Sequence, residues 1–156
     1  MHAIDAIVWN LEEVRRRSLL LWASIPTAYM DWRPDPDAMS MKDMIRHVLD
    51  SEHYYHLALM NRGSLTDYDS PYEPRAFTTI DEEIAFSRPY RAAFLETVKG
   101  YTDADLSNVQ IDRSDVGYVR SLGDMLLRIA YHESVHAGQL LDYMRTAGLP
   151  RPRVWD

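Results

Sequence analysis

The sequence predicts an all-α fold, a four-helix bundle formed by one domain over residues 1–156, and three observations lead there. Four segments carry apolar residues at steps of three and four. Three of them are opened by a hydroxyl residue with an acidic residue three positions on: Ser40 with Asp43, Thr79 with Glu82, and Ser121 with Asp124. The stretches between are dense in Gly, Pro, Asp and Ser. With 156 residues, 46% of them apolar, the chain can bury one real core and has little room for a second.

The first helix is expected from about Ala3 to Ser24. Ile4, Ile7, Leu11, Val14, Ser18, Leu21, Trp22 and Ile25 share its apolar face, and Pro26 marks its end. Arg15, Arg16 and Arg17 fall on or near the outer side and read as a solvated face. The stretch D-W-R-P-D-P-D-A-M is a turn-rich connector. Ser40 then caps a second helix that runs to about Arg62 and stops at Gly63, with Met41, Met44, Ile45, Val48, Tyr55 and Leu59 on one face. Residues 63–77 form a loop long enough to cross a whole bundle. The third helix opens at Thr79 and runs to about Lys99, its apolar side set by Ile84, Phe94, Leu95 and Val98, and Pro89 should kink or split it. Residues 100–120 read as irregular, with a helical turn near Asp103 to Leu106 and a small hairpin from Val109 and Ile111 to Tyr118 and Val119. The last helix runs from Ser121 to about Ala147 and ends at Gly148, with Pro150 beyond. The tail R-P-R-V-W-D is expected to be loose unless Trp155 docks.

Composition narrows the function classes. The net charge is -7 and the basic residues are scattered, which argues against a nucleic-acid or anionic-membrane surface. No apolar run approaches the roughly 20 residues a spanning helix needs. The first ten residues lack the basic start and apolar core of a signal peptide, so a cytoplasmic location is expected. The sequence has no cysteine, so disulfides, thiolate ligands and a cysteine nucleophile are excluded; a metal site must use His, Asp or Glu.

The most informative string is Y-H-E-S-V-H-A-G-Q-L. His132 and His136 stand four apart on the apolar stripe of the last helix, with Met125, Ile129, Leu140 and Tyr143. Two imidazoles aimed at a core need partners, because an unpaired buried polar group costs a few kcal/mol. The plain alternative is two core histidines bonded to carbonyls or carboxylates; at this spacing a shared metal is the better account. Gly138 would allow a close helix neighbour, and Gln139 sets an amide beside the site. A third ligand is sought in the second helix among His47, His53 and His56. His53 falls opposite the apolar stripe and reads as solvent-facing, while His47 and His56 flank it on opposite sides, and geometry alone does not choose between them. Glu52 lies within the stripe as a partner of a ligand imidazole, a fourth ligand, or the counter-ion of an arginine.

His132 to His136 also spells the H-E-x-x-H protease motif, with Glu133 as its base. Zincins need a further ligand downstream, and the twenty residues after His136 hold no His or Glu. The fragment E-S-V-H matches half of a di-iron carboxylate bundle, but its nearest second copy, Asp50 to His53, points its His the wrong way.

The connector with the helix after it, D-W-R-P-D-P-D-A-M-S-M-K-D-M-I-R-H-V-L-D-S-E, and the last helix, L-G-D-M-L-L-R-I-A-Y-H-E-S-V-H-A-G-Q-L-L-D-Y-M-R-T-A-G-L, together resemble the DinB-like (damage-inducible, YfiT-like) family of four-helix metalloproteins. The likeness covers nearly the whole chain in helix order and spacing. It implies up-down-down-up topology with a long crossover between helices 2 and 3. It implies His47, His132 and His136 as the ligands of a divalent metal, Zn or Ni, and a homodimer. It further implies a thiol S-transferase or isomerase that uses a low-molecular-weight thiol, here acting on a small electrophile; a metal-dependent hydrolase and a non-catalytic metal-binding stress protein stand beside it as alternatives. Three neutral imidazoles leave a coordination position open, where water or a thiol ionises near neutral pH. Glu52 and Glu133 are the catalytic candidates, for orienting ligands or moving protons.

Overall fold

The computed structural model describes residues 1–155. Its four long helices are α1 (Ala3–Ala23), α2 (Met41–Asn61), α3 (Ile80–Lys99) and α5 (Leu122–Thr146); a single turn, α4 (Asp105–Asn108), and a hairpin of β1 (Gln110–Arg113) and β2 (Tyr118–Ser121) fill the last connection. The three expected caps form: Ser40, Thr79 and Ser121 accept from the backbone amides of Asp43, Glu82 and Asp124 at 3.2, 3.1 and 3.4 Å. α3 is one continuous helix, so Pro89 does not split it; its missing amide leaves the residue 85 carbonyl without that helical bond. The hairpin pairs antiparallel from Gln110 with Ser121 to Arg113 with Tyr118.

Contacts along the helices give their directions. Arg46, early in α2, pairs with Glu83, early in α3, and His56 near the end of α2 bonds Thr97 near the end of α3 at 2.8 Å; α2 and α3 are therefore parallel. One core cluster joins the start of α1 (Ile4, Ile7, Leu11) to the ends of α2 and α3 (Leu59, Val98) and the start of α5 (Met125, Ile129). The other joins the end of α1 (Leu21, Trp22) to the start of α2 (Met41, Met44, Ile45) and the end of α5 (Leu140, Met144). The topology is thus up-down-down-up, with α1–α5–α2–α3 in cyclic order around the bundle. Among the described residues, no helix is long and apolar enough to cross a membrane.

α2 ends differently from expectation. The left-handed residue is Arg62 (φ 54), one position before Gly63. Gly63 serves a close approach instead: it bridges Asp112 of β1, and a Cβ there would sit 2.7 Å from the Asp112 carbonyl oxygen. The crossover that follows is pinned to α2 by Asp50, whose carboxylate accepts from Tyr68 Oη at 2.5 Å and Ser70 Oγ at 2.8 Å. At the C-terminus Trp155 stays exposed, while Val154 packs against the core cluster at that end of the bundle.

Candidate metal centre

His47 comes from the second turn of α2, and His132 and His136 from the middle of α5. The antiparallel packing of these helices brings the three rings together. Centroid separations are 5.1 Å (His47–His132), 4.9 Å (His47–His136) and 4.5 Å (His132–His136), each pair edge-on. The Nε2 atoms of His47 and His136 both lie 3.1 Å from Nε2 of His132, and one nitrogen from each ring falls within 4.8 Å of the others.

That convergence is hard to satisfy with protons alone. His136 Nδ1 donates to Gln139 Oε1 at 2.7 Å, so its Nε2 carries a lone pair. A single proton at the His132 nitrogen can serve one of its two 3.1 Å contacts in good geometry; the other then sets like against like. A cation resolves both. With metal–nitrogen bonds of about 2.0–2.1 Å, a tetrahedral edge is about 3.3–3.4 Å, close to what the rings already present. The donor set therefore fits a divalent cation, with Gln139 holding the His136 tautomer.

The His132 and His47 rings are also kept neutral. Burial, then the neighbouring His136 and His47 and the Arg128 guanidinium, bring the His132 pKa down to about 4. Burial, then His136, lowers that of His47, with Asp50 opposing. Arg128 is itself fixed beside the site: Nη1 donates to Tyr55 Oη at 2.9 Å, the guanidinium lies over the Tyr55 and Tyr118 rings, and Tyr55 meets the His132 ring edge at 5.7 Å.

The other candidates are placed as follows. His56 turns away, buried between Thr97 and Phe94 of α3. His53 is not solvent-facing: it is half-buried against Tyr68 of the crossover and Tyr90 of α3, because the crossover covers that side of α2. Gly138 meets no close neighbour and lies exposed in a shallow groove. Glu52 and Glu133 both enter the core and meet on Arg15. Arg15 Nε and Nη2 donate to the two Glu133 oxygens at 2.8 and 3.0 Å, and Nη2 reaches Glu52 Oε2 at 3.2 Å. Arg91 adds a second ion pair to Glu52 and donates to the Leu11 carbonyl at 2.8 Å.

Arg15 therefore does not belong to a solvated face; it is 5% exposed, and only Arg16 of the triplet is exposed. Its spacing from Leu11, Ser18 and Trp22 placed it on the inward phase of α1. Burial works against its charge, but Glu133 and Glu52 outweigh that and hold its pKa up. Burial would raise the Glu133 pKa, and Arg15 reverses this, so the carboxylate is held below its ordinary range. With both oxygens on Arg15, Glu133 is unavailable as the free base an H-E-x-x-H protease needs.

Comparison with known proteins finds one family and several similar folds. A family model described as the DinB superfamily matches residues 10–140. Similar solved structures include a DinB-like protein (YjoA) from Bacillus subtilis, at 20% identity over 96% of this chain and 97% of that one, TM-score 0.69. A DinB-like protein from Bacillus cereus matches at 20% identity over 99% and 100%, TM-score 0.74. YfiT from Bacillus subtilis, described as a probable metal-dependent hydrolase with an unusual four-helix bundle topology, matches at 13% identity over 94% and 89%, TM-score 0.77. At these identities the likeness is one of fold. No curated protein matches the chain.

Proposed function

The chain belongs to the DinB superfamily, and on that premise we propose that it is a metal-dependent enzyme whose His47, His132 and His136 hold one divalent cation, Zn or Ni, through Nε2. The observation that carries the reading is the meeting of three ring nitrogens around a single point, two of the contacts at 3.1 Å. When bound, such a cation brings the pKa of a thiol or water near neutrality and polarises an electrophile.

The reaction we propose is transfer of a low-molecular-weight thiol to a small electrophile. The sulfur forms the new S–C bond, the leaving group departs with the electron pair, and the thiol proton goes to solvent. The thiol comes from outside, since the chain has no cysteine. Arg128, stacked on Tyr55 and Tyr118 beside His132, supplies a fixed cation for an anionic thiol or electrophile. Gln139 orients the His136 ring. Glu52 and Glu133 act as positioning residues: through Arg15 they set the rotation of the two helices that carry the ligands. A homodimer belongs to the same proposal, and the exposed stripe of Leu127, Tyr131 and Val135 on α5 is apolar surface suited to it.

The description of YfiT favours a second reading, metal-dependent hydrolysis. Two measurements separate the possibilities. Metal content is compared for wild type and His136→Ala; equal metal in both ends the proposal. A panel of small thiols is then assayed with a chromogenic electrophile. Thiol-dependent turnover supports the transferase, thiol-independent turnover the hydrolase, and metal without turnover a binding protein.

A further inference from the structure

On the side of the bundle opposite the three histidines, between α1 and α3, lies a half-open cavity of about 340 Å³. Its walls are apolar: Leu19 and Trp22 from α1, Leu49 from α2, and Leu95 from α3. Its polar lining is almost wholly guanidinium. Arg15 and Arg91 stand at its floor and Arg88 at its rim, and among the described residues no carboxylate lines it. The counter-ions of the two floor arginines, Glu52 and Glu133, lie behind them. Their bonds use Nε and Nη2 of Arg15 and the two terminal nitrogens of Arg91, which leaves Nη1 of Arg15 and Nε of Arg91 without a protein acceptor among the described residues. Arg88 is exposed and has no ion-pair partner among the described residues. Three cations face the cavity against two buried anions, so one positive charge is uncompensated.

A pocket of a few hundred Å³ with apolar walls and a few convergent charged groups is the ordinary form of a small-molecule site. Here the charged groups are all of one sign and form planar forks that match a carboxylate. We propose that this cavity binds a small organic carboxylate with an apolar body, its headgroup among Arg15, Arg88 and Arg91 and its tail against Trp22, Leu49 and Leu95. This site is separate from the histidines and does not depend on the function proposed for them.

The probe is octanoate, added to the full-length, metal-loaded protein and followed through the indole N–H resonances of the four tryptophans, of which Trp22 alone lines the cavity. Octanol carries the same tail without charge, and octylammonium the opposite charge. Octanoate should shift the Trp22 signal saturably and bind about tenfold or more tighter than octanol, the scale of charge-assisted hydrogen bonds. Arg88→Glu, at an exposed position outside the buried network, should weaken octanoate by a similar factor and leave octanol unchanged. Leu95→Trp fills the cavity and should abolish both, with metal content unaltered. The proposal is overturned if octanol binds as tightly as octanoate, if the Trp22 signal is unmoved at millimolar octanoate, or if binding survives Leu95→Trp unchanged.

Discussion

Replacing Arg15 by Met should destabilise the protein by about 3–4 kcal/mol at neutral pH, and the loss should shrink on acidification. Arg15 is 5% exposed and makes two charge-assisted bonds to Glu133 and one to Glu52. Removing one partner of a buried pair costs about 3–5 kcal/mol because the other charge is stranded. Glu133 offers an upper bound on that charge term. Deprived of Arg15 it escapes by taking up a proton, and for a group of ordinary pKa 4.5 this costs about 3.4 kcal/mol near pH 7 at 1.36 kcal/mol per pH unit. Glu52 keeps Arg91 and adds less. Against a total stability of about 5–15 kcal/mol this is a large fraction, worth roughly 6–16 °C in Tm for a chain of this size.

The pH dependence identifies the cause. In wild type the Glu133 pKa is lowered by folding, so its contribution is present above the unfolded value and lost as pH falls through the folded one. In the variant the folded pKa is raised, and stability falls as pH rises. The gap between the two proteins should therefore narrow to about 1 kcal/mol near pH 5. Urea unfolding of chelator-treated protein, followed by circular dichroism, measures both without linkage to metal. The double variant Arg15→Met with Glu133→Leu should recover much of the loss. A single-variant loss under about 1 kcal/mol near pH 7, or a gap that does not change with pH, would refute the reasoning.

In metal-free protein the same linkage acts through the histidines. His132 is lowered from 6.5 to about 4, and His47 is lowered too, so the folded state binds fewer protons than the unfolded chain between these values. Tm should fall as pH drops from about 6.5 towards 4 and be flatter above; a flat profile across that window would contradict the depressed titration of His132 and His47. Gln139→Leu removes the acceptor for His136 Nδ1 from an exposed position, and a competition titration against a chromophoric chelator should show metal held about 10–100-fold more weakly, with an unchanged circular dichroism spectrum. Gly63→Ala forces a Cβ to 2.7 Å from a backbone oxygen that cannot swing aside, and should lower stability by about 1–3 kcal/mol in denaturant; a neutral result would mean that the crossover and β1 separate easily.

What was legible from sequence was local. The caps at Ser40, Thr79 and Ser121, the end of α5 at Gly148 and the i, i+4 pair His132 and His136 are each decided within a turn or two of chain. What escaped was decided by which neighbour stands on which side. His47 and His56 flank the same stripe of α2; one faces α5 and the other α3 only because the crossover places α3 parallel to α2 on that flank. His53 reads as solvent-facing because nothing in the periodicity of α2 announces that Tyr68 will fold over it. Arg15 was hidden by composition, since a run of three arginines suggests solvent, whereas the spacing 11, 15, 18, 22 already put its Cβ on the core side. Gly63 suggests a helix stop, the commonest reason for a glycine there, but its role depends on a strand nearly fifty residues away.

The buried charges and the histidines share one mechanical frame. His132 and Glu133 are consecutive residues of α5, so their side chains leave the helix about 100° apart; one enters the triad and the other grips Arg15. His47 and Glu52 do the same on α2, five residues and about 140° of rotation apart. Rolling either helix enough to part the Nε2 atoms would drag a carboxylate off the buried Arg15 guanidinium, at the cost of several kcal/mol already argued for Arg15. A buried ion network is a weak source of net stability compared with well-packed apolar residues, so its presence here is better explained by register than by strength. Ligands held in register by the core need little ordering when a cation binds, and more of the intrinsic binding energy then appears as affinity.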